Sequence, residues 1–478
     1  MILSAHKEKI REQFDTLAPT RRKWRRTNAY YYEYQAAYLK FLVPAGMRVL
    51  ELGCGTGELL AALCPREGVG IDLSPAMIAL ATDKFPHLSF VAGDAEHLAA
   101  CGVAGTFDYI VITDLVGHLE DVQTCFEHLR PFCNSETRII VGYYNFLWEP
   151  MLKMAERLGG KMPQRMGNWL APADIENLLY LADFETVKIE RRLLFPKKVP
   201  MLSPIMEAIG SLPGVNRLCL TDYVVARMRE RTGVNDKQSV TVLIPCRNER
   251  GNIEPAILRT PDLGSRTEII FVDGRSEDGT PEEIRRVMEK YPQRDIKFMV
   301  QDGRGKGDAV RKGFAAATGD ILMILDADLT VPPEDLPKFY RAIASGKGEF
   351  INGTRLVYPM EDQAMRFLNL LGNKFFSLAF SWLLNQRLKD TLCGTKVLSR
   401  ANYERLVAGR SYFGDFDPFG DFDLLFGASK LNLKLVEVPI RYRAREYGET
   451  QISRFRHGLL LLRMCWFAMR KLKFIRKT

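Results

Sequence analysis

The sequence predicts two α/β domains in one chain, and three observations carry that prediction. At 478 residues the chain is long for a single hydrophobic core. Two separate series of short apolar strands alternate with helical stretches, the pattern of parallel sheets covered by helices on both faces. Between the series, the polar stretch from Arg229 to Gln238 reads as a linker and places the domains at 1–232 and 238–478. Composition agrees: 46% apolar and 26% charged residues describe a folded, soluble chain. Nine cysteines without a C-x-x-C pair argue against a disulfide framework and for a reducing compartment. Six histidines in no ligand-like spacing argue against histidine-based metal chemistry.

The first series runs "MRVLELG", "GVGID", "LSFVAGD", "FDYIVITD" and "TRIIVGYY". "VLELGCGTGEL" sets Gly53, Gly55 and Gly57 after a strand and before the apolar helix pattern "LLAAL". Glycines there let the backbone pass close to a ligand that faces a helix N-terminus. The spacing is G-x-G-x-G, not the G-x-G-x-x-G of a dinucleotide site. Glu51, just before the turn, would sit poorly beside a pyrophosphate and suits a cofactor carrying positive charge. Asp72 ends the second strand, placed to accept hydrogen bonds from a ribose diol. Asp94 follows the third strand, and Asp114 to His118 follow the fourth. Near the start, "NAYYYEYQAAY" puts Tyr30, Tyr31, Tyr32 and Tyr34 on a helix, as acceptor contacts or as aromatic packing. "WLAPADIENLLYLADFETVKIERRLLFP" reads as a closing helix and antiparallel strands.

This order of motifs resembles the class I S-adenosylmethionine-dependent methyltransferases over most of residues 30–230. The resemblance implies a Rossmann-like domain. Glu51, Gly53, Gly55 and Gly57 would cradle the methionine end of S-adenosylmethionine, Asp72 the ribose, and Asp94 with Ala95 the adenine. Asp114 to His118 would border methyl transfer, with His118 as the nearest base or as a packed histidine. The methyl acceptor stays unnamed. A domain that only binds ligand or partner, as a scaffold, is the alternative.

The second series runs "SVTVLIP", "TEIIFVD", "IKFMVQ", "DILMILDAD" and "GEFINGT". Its first strand ends in Pro245, with Arg247 and Glu249 beyond; its second ends in Asp273, with Asp278 capping the next helix. "QDGRGKGDAVRKGF" gathers Arg304, Lys306, Arg311 and Lys312 about glycines, which suits a diphosphate or a solvated basic loop. The apolar run 321–325 then leads into Asp326 and Asp328. Two carboxylates one residue apart at a buried strand end repel, and burial raises their pKa. A hard divalent cation, Mg2+ or Mn2+, would resolve the conflict; the alternative is a loop where both carboxylates are solvated.

These motifs resemble the family 2 glycosyltransferases of the GT-A fold over residues 238–450, and most closely the dolichyl-phosphate mannose synthase group. The resemblance implies that Pro245, Arg247, Glu249 and Asp273 bind the nucleoside, and Arg304 and Lys306 the diphosphate. Asp326 and Asp328 would hold the metal, and Arg355 and Arg366 an acceptor phosphate. Three departures stand out. Gly274 and Arg275 replace a second aspartate and a small residue, Thr330 replaces a frequent glutamine, and Arg247 replaces a tyrosine, which leaves GDP or UDP open. An anionic polyprenyl phosphate needs no base, whereas a glycan hydroxyl would need Asp421 or Asp423.

The charge is uneven. From Arg441 to Thr478 there are eleven Lys or Arg against two Glu, which accounts for the whole net charge of +9. Nucleic-acid binding would need a reading motif, and none is present. The apolar run Leu459–Met469 covers about 16 Å as a helix, against roughly 30 Å of hydrocarbon. The sequence therefore predicts a cytoplasmic bifunctional enzyme docked peripherally on the inner, anionic membrane face through this tail and the run 375–384.

Overall fold

The structure, a computed structural model, describes residues 3–164, 168–229, 237–355, 367–413, 420–440, 443, 447 and 454–474, with the backbone alone at 367–373, 421 and 454–458. The chain forms two compact units, Met1–Arg229 with Lys473–Thr478, and Glu230–Leu472.

The first unit holds β1 (Arg48–Leu52), β2 (Glu67–Asp72), β3 (Ser89–Ala92), β4 (Tyr109–Thr113), β5 (Arg138–Tyr144), β6 (Phe184–Arg192) and β7 (Thr221–Met228). Their order in the sheet is β3-β2-β1-β4-β5-β7-β6. The first five strands are parallel, and β7 runs antiparallel to both β5 and β6. Every residue of β4 and β5 is buried, which is why both read as unbroken apolar runs rather than alternating ones. The antiparallel β6 matches the closing strands expected there. β7 was not among the expected strands, because its apolar run merges directly into the polar linker.

The second unit holds β8 (Val240–Cys246), β9 (Thr267–Asp273), β10 (Asp295–Val300), β11 (Ile321–Ile324), β12 (Phe350–Thr354), β13 (Lys396–Ser399) and β14 (Leu435–Pro439). Their order is β10-β9-β8-β11-β13-β12-β14. The sheet is mixed, not parallel throughout, since β13 enters antiparallel between β11 and β12. The cause is local. Asp390 binds Arg355 just past the end of β12, so the chain starts β13 from that end and must run back.

In both sheets the first strand lies in the interior, third of seven. The chain fills one side and then crosses to the other, so the β1/β4 and β8/β11 pairs are the points where direction switches. Crevices open at the carboxyl ends of strands at such points. Glu51, Asp72 and Asp114 stand at one crevice, Asp273 and Asp326 at the other.

Candidate active sites

The first crevice is a cleft of about 1090 Å³, open to solvent, lined by Glu51, Gly53, Gly55, Asp72, Asp94 and Asp114 among others. Its floor is the glycine turn, where Gly53, Gly55 and Gly57 have φ of +74°, +53° and +75°. A Cβ on Gly57 would also meet Phe90 Cζ at 2.6 Å, so only glycine fits. Asp72 braces this turn, its carboxylate accepting from the Gly55 N–H at 2.8 Å and the Ser74 N–H at 3.0 Å. Glu51 is only 2% exposed, and its Oε2 has no hydrogen-bond partner. Burial drives its carboxyl well above the usual range. A buried, unpaired acid beside an open cleft asks for a cationic ligand.

A helix at the start of the chain, Ala5–Leu17, covers one side of the cleft. Its Lys7 ammonium lies 2.6 Å from Asp94 and 2.9 Å from Glu96. Burial alone would lift the Asp94 carboxyl, but the Lys7 pairing outweighs it and the net shift is downward. Phe14 of the same helix sets its ring edge-on to His118, 5.2 Å between centroids. Ala95 lines the same wall. Asp114 takes a left-handed conformation, φ +55°, just after β4. The Tyr31 hydroxyl donates to its two oxygens at 2.8 and 3.0 Å, and Gln35 donates at 3.4 Å. Burial is the largest influence on Asp114 and raises its carboxyl. The tyrosines sit on the predicted helix, Ala29–Leu42, and split in role. Tyr30 donates to Glu207, Tyr31 and Tyr34 pack inward, and Tyr32 lies under Arg25 with the guanidinium 4.2 Å from the ring centroid.

At the second crevice Asp273 is buried at the end of β9 and accepts from the N–H and hydroxyl of Ser276. Glu249 receives the Asn252 amide at 2.6 Å. Pro245 is on β8, Arg247 is exposed two residues further on, and Arg304 is exposed in the loop before the helix Lys306–Ala316. Asp278 ties two helix starts together, accepting from the N–H of Thr280 at 3.1 Å and of Arg250 at 3.2 Å. That is the structural role a capping aspartate plays. Arg275, φ +59°, turns away to donate to the Asp302 carbonyl at 2.7 Å, and Lys312 pairs with the Asp302 carboxylate.

The carboxylate pair lies just beyond β11. Lys306, first residue of the helix Lys306–Ala316, points its ammonium at Asp326 Oδ1, 2.6 Å away. Asp328 accepts from the Thr330 hydroxyl at 2.8 Å and its N–H at 3.2 Å. Thr330 therefore orients this carboxylate where the resemblance led one to expect a glutamine. Burial would raise Asp326, but Lys306, Lys396 and Arg355 together bring it below the ordinary value. Space beside it is tight: a Cβ on Gly394 would stand 1.8 Å from Asp326 Oδ2. Arg355 is clamped by Asp390 through Nε at 2.6 Å and Nη2 at 2.8 Å. Asp423 accepts from Arg410 at 2.9 Å. Arg366 and the Asp421 side chain lie outside the described residues. Among the described residues no three acidic, histidine or cysteine side chains cluster as a metal cage.

A methyltransferase domain model matches residues 24–189, and the glycosyl transferase family 2 model matches residues 241–406. The chain joins a methyltransferase domain to a family 2 glycosyltransferase domain. A dolichol-phosphate mannosyltransferase of Pyrococcus furiosus is 31% identical over 221 residues, 45% of this chain and 59% of the relative. An undecaprenyl-phosphate 4-deoxy-4-formamido-L-arabinose transferase of Edwardsiella ictaluri is 24% identical over 229 residues, 47% of this chain and 65% of the relative. The chain thus spans less than two thirds of either relative. Among solved structures, a SAM-dependent methyltransferase of Thermotoga maritima aligns with a TM-score of 0.37 and 17% identity, over 45% of this chain and 99% of that one.

In the methyltransferase domain, sequence reasoning missed Lys7, because a lysine in a polar helix reads as surface and its partner Asp94 is 87 residues away. In the glycosyltransferase domain it missed Asp390 and Lys396, both in "DTLCGTK". Lys396 is fully buried and donates to the Cys393 carbonyl. A charged residue at each end of a short, otherwise uncharged segment was the available signal.

Proposed function

We propose that the chain is a bifunctional enzyme. Its glycosyltransferase domain moves a sugar, with inversion, from a nucleotide diphosphate to a polyprenyl phosphate, and its methyltransferase domain uses S-adenosylmethionine. One observation carries the first half. The Asp326–Asp328 pair sits among Lys306, Lys396 and Arg355, while Asp390 and Asp423 are each engaged by an arginine. A site rich in cations and, among the described residues, without a ready base suits an acceptor that is already anionic. The names of the two relatives, both transferases to polyprenyl phosphates, support the same choice.

The carboxylate pair fits a hard divalent cation, with diphosphate oxygens and water completing its shell. That cation would offset charge growing on the leaving diphosphate. Pro245, Arg247, Glu249 and Asp273 would face the nucleoside, and Arg304 and Lys306 the phosphates. In the cleft, the unpaired Glu51 oxygen fits the ammonium of S-adenosylmethionine, Asp72 its ribose, and Asp94 with Ala95 its adenine. Asp114, raised by burial and held by Tyr31, would take the acceptor's proton in preference to His118. The overall test is mass spectrometry of products from the purified chain given S-adenosylmethionine, a nucleotide-sugar panel and a short polyprenyl phosphate. Neither a sugar-phosphate lipid nor a methylated product forming would reject the proposal.

Asp72→Ala should weaken S-adenosylmethionine binding by roughly 1–3 kcal/mol through lost charge-assisted hydrogen bonds. Sugar transfer should be unchanged. Calorimetry that returned wild-type affinity would remove Asp72 from the site.

No helix among the described residues is long and apolar enough to cross a membrane. Helices Phe367–Leu384 and Arg454–Ala468 pack on each other. Each buries one side, with Phe380 and Leu384 or Leu461 and Met464 in the core. Each also exposes large apolar groups: Phe375 and Leu378 on one, Leu459, Leu462 and Trp466 on the other. Such half-buried helices next to a basic tail suit docking on an anionic membrane at its cytoplasmic face. Leu462→Glu with Trp466→Glu should cut flotation with anionic vesicles several-fold at low salt. It should impair transfer to a long-chain lipid more than to a short soluble analogue. Equal loss on both acceptors would assign these residues to the fold instead.

A further inference from the structure

A second pocket, open to solvent, adjoins the cofactor cleft and shares Tyr32, Tyr144 and Gln164 with it. One wall is polar. Lys197 donates to the Thr27 carbonyl at 2.9 Å and to Asn28 Oδ1 at 2.8 Å, and no carboxylate pairs with it among the described residues. Lys161, paired with Glu156, lies over the Tyr144 ring at 5.5 Å. The other wall is apolar, built by Leu152 and Ala155 from the helix Glu149–Arg157 and by Met162, Pro196 and Leu220.

The helix that lines this chamber turns a second apolar face outward. Met151, Met154 and Leu158 are exposed, Leu158 to 78%, as are Phe146 and Leu147 in the turn before it. A second short helix, Ser203–Gly210, exposes Ile205 and Ile209, and Met201 and Leu202 ahead of it are also exposed, Met201 to 91%. The chain just before the first helix is bonded to the chain that follows the second. The Trp148 indole N–H donates to the Leu218 carbonyl at 2.9 Å, and the Asn145 amide to the Arg217 carbonyl at 3.1 Å. Single exposed apolar residues are ordinary, but a run of them on each of two segments tied together in this way marks a contact surface. Residues 146–161 and 193–218 carry six Lys or Arg against three Glu. Short amphipathic helices with a basic rim fit an anionic lipid surface.

We propose that the methyltransferase domain itself lies on an anionic membrane through the helices Glu149–Arg157 and Ser203–Gly210, and that its methyl acceptor is an amphiphile with an anionic head group. The head would enter the chamber beside Lys197 while the apolar tail remains along Leu152 and the exposed helix faces. This deepens the reading of the cleft as a methyl-donor site and rests on it. It names residues other than those of the helix Arg454–Ala468.

The first test is hydrogen exchange on the full chain with S-adenosylhomocysteine, with and without vesicles of phosphatidylcholine and phosphatidylglycerol. Vesicles should slow exchange several-fold in 146–158 and 201–212. Met154→Glu with Ile205→Glu should remove that protection, keep S-adenosylhomocysteine affinity within about two-fold, and leave the helix Arg454–Ala468 protected. Unchanged exchange in both segments would overturn the proposal. So would protection that follows protein concentration without lipid, which would mark a self-association surface. The second test is acetylation of Lys197 read by mass spectrometry. Decyl phosphate should protect it several-fold, while decyl maltoside and inorganic phosphate at equal concentration should not. Protection by the maltoside would reject the anionic head, and equal protection by inorganic phosphate would reject the apolar tail. Calorimetry separates the underlying reading: wild type that fails to bind S-adenosylhomocysteine refutes the donor site, whatever the vesicles do.

Discussion

Asp328→Asn should lower sugar transfer by roughly 10²–10³-fold or more, the range seen when one preorganised stabiliser of transition-state charge is removed. The change keeps the size of the side chain and its bond to Thr330, but it halves the anionic donors offered to a divalent cation. Methyl transfer should be untouched, since Asp328 belongs to the other compact unit. Thr330→Val is the graded companion. It leaves both carboxylates and removes only the hydroxyl that orients Asp328, so a smaller loss, partly restored by high Mn2+, is expected. Transfer by the wild type that continues unaffected under a strong chelator would sink the metal assignment.

Asp390→Asn should destabilise the glycosyltransferase unit by about 3–5 kcal/mol, the usual cost of stranding one partner of a buried ion pair. Asp390 is 1% exposed and accepts from the Arg355 guanidinium twice, from the Arg355 N–H, and from the N–H groups of Leu392 and Cys393. It fixes the end of β12 to the start of β13. Burial pulls its carboxyl up, yet Arg355 and the backbone N–H donors more than compensate, and it ends below the ordinary value. A depressed carboxyl adds stability that is complete above its unfolded pKa, about 4, and is lost as pH falls through the lower folded value. The gap between wild type and Asp390→Asn in urea should therefore be flat from neutral pH to about pH 5 and close below pH 4. A gap that widened with acid would contradict the pairing. Adding Arg355→Met to the variant should recover part of the loss, because no charge is then left stranded.

The sequence made some of this plain and hid the rest for physical reasons. Strand-end chemistry was legible. Gly57 needs a positive φ, Asp72 braces the turn beside it, and Asp326 and Asp328 follow a fully buried run, all within a few residues of one another or one strand apart. The two parallel series were legible for the same reason, since strands buried on both faces cannot hide their apolar runs. Partners brought together by the fold were not. Lys7 meets Asp94 across 87 residues and Asp390 meets Arg355 across 35, and no local pattern requires either pairing. β13 was missed because it has only four residues, two of them polar, and owes its place to that second pair. Arg355 was expected to bind phosphate on resemblance alone, and its clamp by Asp390 could be seen only in three dimensions.

The interior placement of β1 and β8 has a cost during synthesis. Val240 on β8 pairs with Thr267 on one side and with Ile321 on the other, so its neighbours arrive about 27 and 81 residues later. At roughly 5–20 residues per second, an apolar ribbon with both edges open waits several seconds for its second partner. Non-local pairing of this kind folds slowly and leaves edges available to other chains. The yield of folded protein should consequently depend on translation rate and on chaperones more than on equilibrium stability. Slowing growth temperature should recover soluble chain that no stabilising substitution at the surface would.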